Sequence, residues 1–174
     1  MRTLIDDLLT LSRLDEGLSG QSHAIDLSAM CERVLERLSS SPEAEGAIIE
    51  FKNAGPVEVE GSEPLVEQIV YNLVDNAIRY GDGKVEVSVE TVGDSARLCV
   101  SDNGPGVPEE LRARVFERFY RVDPSRSRET GGTGLGLAIV KHAVETMDGT
   151  IAVGESNLGG ALFSVTLPVA NAAL

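Results

Sequence analysis

Asn72 and Asn76 stand four residues apart in the run VEQIVYNLVDNAIRY, and Arg79 follows three later. On a helix this spacing sets two amide oxygens and a guanidinium on one face, one turn apart. Neutral hard oxygens suit Mg²⁺, which keeps several waters and takes few protein ligands besides phosphate oxygens. The same residues could equally form a solvated helix face. A second group is SDNGPGVP, where Asp102 ends an alternating run and Gly104 and Gly106 flank Pro105 in a tight bend. A carboxylate there could accept a hydrogen bond from the exocyclic amine of adenine, where guanine presents a carbonyl; it could also belong to an ordinary Asp-Asn-Gly turn. The third group is GGTGLGLAIVK, with Gly131, Gly132, Gly134 and Gly136 crowded together. Glycines let backbone amides approach an anion at a helix N-terminus. It is not a Walker loop, because Gly-Lys-Ser/Thr is missing. Nor is it a Rossmann loop, because it follows a polar stretch rather than a strand. Each group alone has a bland reading; their joint occurrence in this order points to magnesium-bound adenine nucleotide.

The elements that must position these residues are legible from periodicity. Leu65, Ile69, Val70, Leu73, Val74 and Ala77 recur at three and four, predicting the longest helix from Ser62 to the Tyr80–Gly83 turn. KVEVSVETV and ARLCVSD alternate around Gly93-Asp94-Ser95 and predict a hairpin. TIAVGES and ALFSVTLP predict two closing strands, Ile48–Phe51 and Val57–Val59 two short ones, and Leu135–Met147 a helix. Ser28 is the expected cap of a helix over 28–40, and Pro108 the first residue of a short helix reaching about Arg118. The polar segment 121–131 predicts a mobile loop. Near the N-terminus, Leu4, Leu8, Leu11 and Leu14 form an amphipathic stripe closed by Gly17, and the polar, turn-rich stretch after it predicts a boundary near residue 20. This first helix reads as separable, the end of a hairpin or coiled coil whose other half is absent. The remainder predicts an α+β fold, a two-layer sandwich with one mixed sheet and helices on one face.

Composition narrows the function. The 174 residues carry a net charge of −13, which repels a phosphate backbone and argues against nucleic-acid binding. No apolar stretch approaches the roughly 18 residues of a membrane span, and no signal-peptide pattern follows Met1, so a soluble fragment without membrane contact is expected. Cys31 and Cys99 lack zinc spacing and are too few for a disulfide framework, which predicts reduced core thiols. Glycine, at 18 residues, exceeds the usual ~7%, and its clustering directs attention to the two loops above.

Over about residues 25–168 these segments resemble the catalytic and ATP-binding domain of a sensor histidine kinase, of the GHKL (Bergerat) type. VEQIVYNLVDNAIRY is similar to the family's N box, SDNGPGVP to its G1 box, FERFYRVD to its F box, GGTGLGLAIVK to its G2 box and GGALFSVTLP to its final strand region. The F-box and G2 wording resembles the phosphate-regulon type of sensor. TLIDDLLTLSRLDEG resembles the end of the second helix of the dimerisation and histidine-phosphotransfer hairpin, giving domains at 1–20 and 21–174. The resemblance implies ATP and Mg²⁺ as ligands. It implies that Asn76 holds the metal with Asn72 beside it, that Arg79 contacts phosphate, and that Tyr80 lines the site. Asp102 would read adenine, with Gly104 and Gly106 permitting close approach. Phe116 and Phe119 would anchor the lid, whose Arg121 and Arg126 would reach the γ-phosphate. Thr133 and the backbone of Gly132, Gly134, Leu135 and Gly136 would cradle the phosphates. Many relatives carry lysine where Arg79 stands; arginine keeps the charge and adds a planar fork.

In the hydrolytic relatives the residue four before the metal-binding asparagine is a glutamate that activates water. Asn72 cannot take a proton there, so hydrolysis loses its general base and a kinase role is implied, in which the domain positions the γ-phosphate for a histidine. The family's acceptor signature, His followed by Glu or Asp and then Arg-Thr-Pro, does not occur; His23 falls in the polar linker and His142 in the helix after the glycine loop. The acceptor is therefore expected on a histidine-bearing hairpin outside this chain, with a response regulator downstream and a cytoplasmic location. Two alternatives stand beside this reading: a nucleotide-dependent interaction module without transfer, and a serine kinase of the anti-sigma-factor type.

Overall fold

Alternating apolar residues build the sheet in the computed structural model, which describes residues 4–17, 20–123, 125 and 131–170. The strands are β1 (His23–Asp26), β2 (Ile48–Asn53), β3 (Glu58–Gly61), β4 (Lys84–Val92), β5 (Ser95–Asp102), β6 (Thr150–Glu155) and β7 (Ala161–Pro168). The helices are α1 (Leu4–Asp15), α2 (Leu27–Ser39), α3 (Glu63–Tyr80) and α4 (Gly136–Thr146). Five strands form a mixed sheet in the order β2-β4-β5-β7-β6, with β2 parallel to β4 and the other neighbours antiparallel. The register aligns Val87 with Val100 and Val100 with Phe163, and likewise Val89 with Leu98 and Leu98 with Val165. One apolar face results, and it is buried under the helices. The intervening residues of β4, such as Glu86, Ser88 and Glu90, point to the open face. This is the predicted α+β layering.

The apolar stripe of α3, Leu65, Ile69, Val70, Leu73, Val74 and Ala77, is buried throughout, and α3 packs against both α4 and the centre of the sheet. The structure differs from the sequence reading in five places. A small two-stranded antiparallel sheet, β1 with β3, was not expected; it moves His23 from a linker into a strand and shifts the second short strand to Glu58–Gly61. Asp26, not Ser28, caps α2 by accepting from the Ala29 N–H at 3.0 Å. Ser28 lies inside the helix, buried, and its hydroxyl donates to the Gly55 carbonyl. The segment after Pro108 forms two 3₁₀ turns, Glu109–Leu111 and Arg114–Phe116, rather than one α-helix. Helix α4 begins one residue late and ends one early, with Leu135 as its N-cap.

The fifth difference concerns α1, which is docked rather than separate. Leu11 and Leu14 are buried against the domain and Asp7 is 3% exposed. Asp15 accepts two hydrogen bonds from Arg118 Nη2, at 2.9 and 3.0 Å, and stands 3.4 Å from His142 Nδ1. Leu4, Ile5, Leu8 and Leu9 remain exposed. Among the described residues no helix is long and apolar enough to cross a membrane. Both cysteines are free, Cys31 fully buried and Cys99 partly so.

Candidate functional site

Strand alternation explains the position of Asp102. In β5, Ala96, Leu98 and Val100 face the core, so the next residue in that series must also point inward. It does so at the strand's end, 3% exposed, where the layers part. The Asp102 Oδ1 accepts from the Gly104 N–H at 2.9 Å and the Ala161 N–H at 3.2 Å, which leaves Oδ2 for a ligand. Burial pushes the carboxyl above its usual range, and the two N–H donors pull it partly back. Two glycines make this packing possible. A β-carbon on Gly160 would lie 2.2 Å from Oδ1, and one on Gly104 would lie 2.2 Å from the Tyr80 carbonyl oxygen. Gly160 was not singled out in the sequence, because it contacts Asp102 only through the β5–β7 pairing. The neighbouring Asn103 has the turn role: its Oδ1 accepts from the Asp82 and Lys84 N–H groups and its Nδ2 donates to the Asp82 carbonyl, fixing the end of β5 to the α3–β4 turn.

Asp102 closes one side of a cavity of about 480 Å³ between α3, the 105–107 bend, the segment 120–123 and the glycine loop. That volume falls in the range of small-ligand sites. Asn72, Asn76, Arg79, Tyr80, Gly106, Arg121, Gly132, Thr133, Gly134 and Gly136 all line it. Asn72 is 7% exposed and donates through Nδ2 to the Gln68 carbonyl at 2.8 Å. This bond turns Oδ1 toward Gly136, where an added β-carbon would stand 3.1 Å away. Arg79 is oriented by Asp75, to whose Oδ2 its Nε donates at 2.8 Å, and its Nη1 lies 3.9 Å from where a Gly131 β-carbon would be. The guanidinium of α3 thus reaches the glycine loop. Thr133 links this loop to α4, since its Oγ1 accepts from the Leu135 N–H at 3.3 Å.

One expected site residue is placed differently. Gly104 does not line the cavity but supports Asp102 from behind. The side chain of Leu135 is completely buried, which leaves the backbone, the part expected at the phosphates. Arg126 lies outside the described residues, as do 124 and 127–130 of the expected loop. Phe116 packs edge-on to Phe163 at 6.3 Å. Phe119, by contrast, is 59% exposed, and it is the backbone that anchors there: at φ 63° its N–H donates to the Gly134 carbonyl at 2.8 Å. Three acidic residues in the lining were missed, Asp75, Asp123 and Asp7. Asp7 comes from α1: Thr133 Oγ1 donates to its Oδ2 at 2.5 Å, and its Oδ1 has no hydrogen-bond partner among the described residues. A buried acceptor without a donor costs on the order of 1–3 kcal/mol. No signal within the helix could reveal this contact, because its partner lies more than a hundred residues away in the chain.

A buried carboxylate, two asparagine amides, a guanidinium and a glycine-rich helix N-terminus line one cavity, the residue types of an adenine-nucleotide site of the Bergerat kind. Residues 61–171 match the family model of histidine kinase-, DNA gyrase B- and HSP90-like ATPases, and the chain belongs to this family as a histidine kinase catalytic, ATP-binding domain. It is 35% identical to the sensor protein RstB of Escherichia coli K12, over 97% of this chain and 39% of RstB. It is 36% identical to the sensor histidine kinase CpxA of the same strain, over 96% of this chain and 37% of CpxA. The chain therefore spans under two fifths of these relatives. Among solved structures, full-length ShkA in complex with AMPPNP superposes with a TM-score of 0.82 at 31% identity, covering 98% of this chain and 36% of ShkA.

Proposed function

We propose that this domain binds Mg·ATP and transfers its γ-phosphate to a histidine imidazole borne by a helical hairpin outside the chain. The observation that carries the reading is a shared cavity: Asp102 Oδ2 is the acceptor left for the adenine amine, and Asn76, Arg79, Thr133 and the first residue of α4 line the same space. ShkA, which this chain resembles along nearly its whole length, was solved with AMPPNP.

Magnesium fits the donor set. Asn76 and Asn72 supply amide oxygens from one helix face, and the Gln68 bond holds the Asn72 amide with its oxygen toward the glycine loop. When bound, the metal would neutralise phosphate charge. Arg79 and Arg121 add cationic charge where it develops during transfer. Asn72 cannot serve as a base, so water in the site is not activated. Neither His23 nor His142 lines the cavity, in keeping with an acceptor supplied from elsewhere. By the same resemblance the partners are the dimerisation hairpin of the same protein and a response regulator, and the location is cytoplasmic.

The test supplies the hairpin in trans with γ-labelled ATP. Acid-labile, base-stable phosphate on the hairpin is expected. Its absence despite confirmed ATP binding would leave an interaction module instead, and acid-stable phosphate on serine would indicate the anti-sigma-factor type of kinase. Asn76→Ala should weaken Mg·ATP at least tenfold more than metal-free ADP in parallel titrations, about 1.4 kcal/mol or more; equal losses would indicate a folding defect.

A further inference from the structure

Arg79 is held from two sides by carboxylates. Its Nε donates to Asp75 Oδ2 at 2.8 Å, an acid-then-base pair one turn apart on α3 whose side chains are only 22% and 18% exposed. Its Nη2 stands 3.9 Å from Oε1 of Glu43, which the 3₁₀ turn Pro42–Ala44 brings over from the end of α2. The third nitrogen, Nη1, is turned to the glycine loop, 3.9 Å from where a Gly131 β-carbon would be. A guanidinium can divide its donors in this way because its fork is planar and rigid.

Asp75 nevertheless lines the cavity, and an anion there should by charge alone repel a phosphate. Two effects of opposite sign compete. The repulsion is weak, since a carboxylate bonded to a guanidinium at 2.8 Å has its charge largely cancelled at the distance of a ligand. The ordering effect is stronger. A loose arginine has one of the largest rotamer entropies to lose when a ligand fixes it, whereas one already fixed by its own helix loses little. We infer that Asp75 is a positioning residue for the phosphates: acting through Arg79, it holds the guanidinium toward the glycine loop, with Glu43, which does not line the cavity, as a second and weaker hold. The inference rests on the nucleotide reading of the cavity.

Titrations with Mg·ATP and with adenosine, which lacks phosphates, test this on the wild-type chain, Asp75→Ala, Asp75→Asn, Glu43→Gln, Arg79→Ala and the double variant Asp75→Ala/Arg79→Ala. Asp75→Ala removes an anion from the cavity, yet it should weaken Mg·ATP about fivefold, within the coupling range of residues that share one network. Asp75→Asn keeps a neutral acceptor for Nε and should lose less, as should Glu43→Gln. Without Arg79 the sign should reverse: the double variant should bind Mg·ATP as well as Arg79→Ala or more tightly, because only the repulsion is left to remove. Adenosine should bind every variant equally. Unchanged or tighter Mg·ATP binding in Asp75→Ala would overturn the positioning role, as would an equal loss in the Arg79→Ala background. A parallel loss of adenosine affinity would overturn it too, by making the aspartate structural. A wild-type chain that binds neither ligand would instead overturn the nucleotide reading, and the positioning role with it.

Discussion

Asp102 meets two opposing demands, and the balance is measurable. Burial raises its pKa, so the folded chain favours the protonated acid. That contribution to stability is present below the unfolded-state value and is lost as pH rises through the folded one. An adenine amine favours the carboxylate instead. ADP affinity should therefore begin to fall on acidification at a higher pH than an ordinary carboxylate would dictate, with a proton released on binding in that range. Calorimetry in buffers of different ionisation enthalpy measures this release. Asp102→Asn should abolish it and weaken ADP by roughly 10–100-fold, ~1–3 kcal/mol: its oxygen would stay with the Gly104 and Ala161 N–H groups, leaving an NH₂ to face the adenine amine. Gly160→Ala probes the same carboxylate from behind. A β-carbon 2.2 Å from Oδ1 should destabilise the fold by ~1–3 kcal/mol in urea titrations and lower ADP affinity in the same variant.

At the scale of elements, the site depends on where helices begin. The N-terminus of α4 carries no side-chain cap of its own, so its first amides remain available to a ligand, with Thr133 satisfying Leu135. Helix α2, remote from the cavity, has the opposite arrangement, an aspartate cap with one strong acceptor bond. Asp26→Ala should cost about 1 kcal/mol in chemical denaturation without changing nucleotide affinity, which separates fold stability from site function. The stripe of α3 was readable in advance because its buried residues follow one helical period. The cap of α2 was misread because Ser28 has the right chemistry but its hydroxyl is turned to Gly55 in the β2–β3 connection, a partner that local spacing does not reveal.

Across the whole molecule, an acidic chain surrounds the candidate nucleotide cavity. The net charge is −13, and Asp7, Asp75 and Asp123 line the cavity together with Asp102, so the proposed polyphosphate would have to be held locally, through Mg²⁺, arginines and backbone amides. The same acidity and burial act on Cys31, whose thiol is pushed up to about 12 by desolvation, with Asp26 and Glu32 adding to it. Iodoacetamide should therefore label Cys99, which is partly exposed, well before Cys31 in the folded protein, and both at similar rates in denaturant; mass spectrometry of the tryptic peptides reads the order.

The amino-acid sequence alone determined the layering, the long helix, the hairpin and the three motif groups, because helical and strand periods and glycine-rich turns are local properties. The proposal of transfer rather than hydrolysis rests on the family resemblance at Asn72, where an amide cannot act as a base. Tertiary structure decided the rest. Only the β5–β7 pairing brings Gly160 against Asp102, only the crossing of the end of β5 with the α3–β4 turn gives Asn103 its work, and only the docking of α1 sets Asp7 on Thr133. Each joins residues far apart in the chain, whose proximity depends on the packing of whole elements and leaves no mark on the spacing within any one of them.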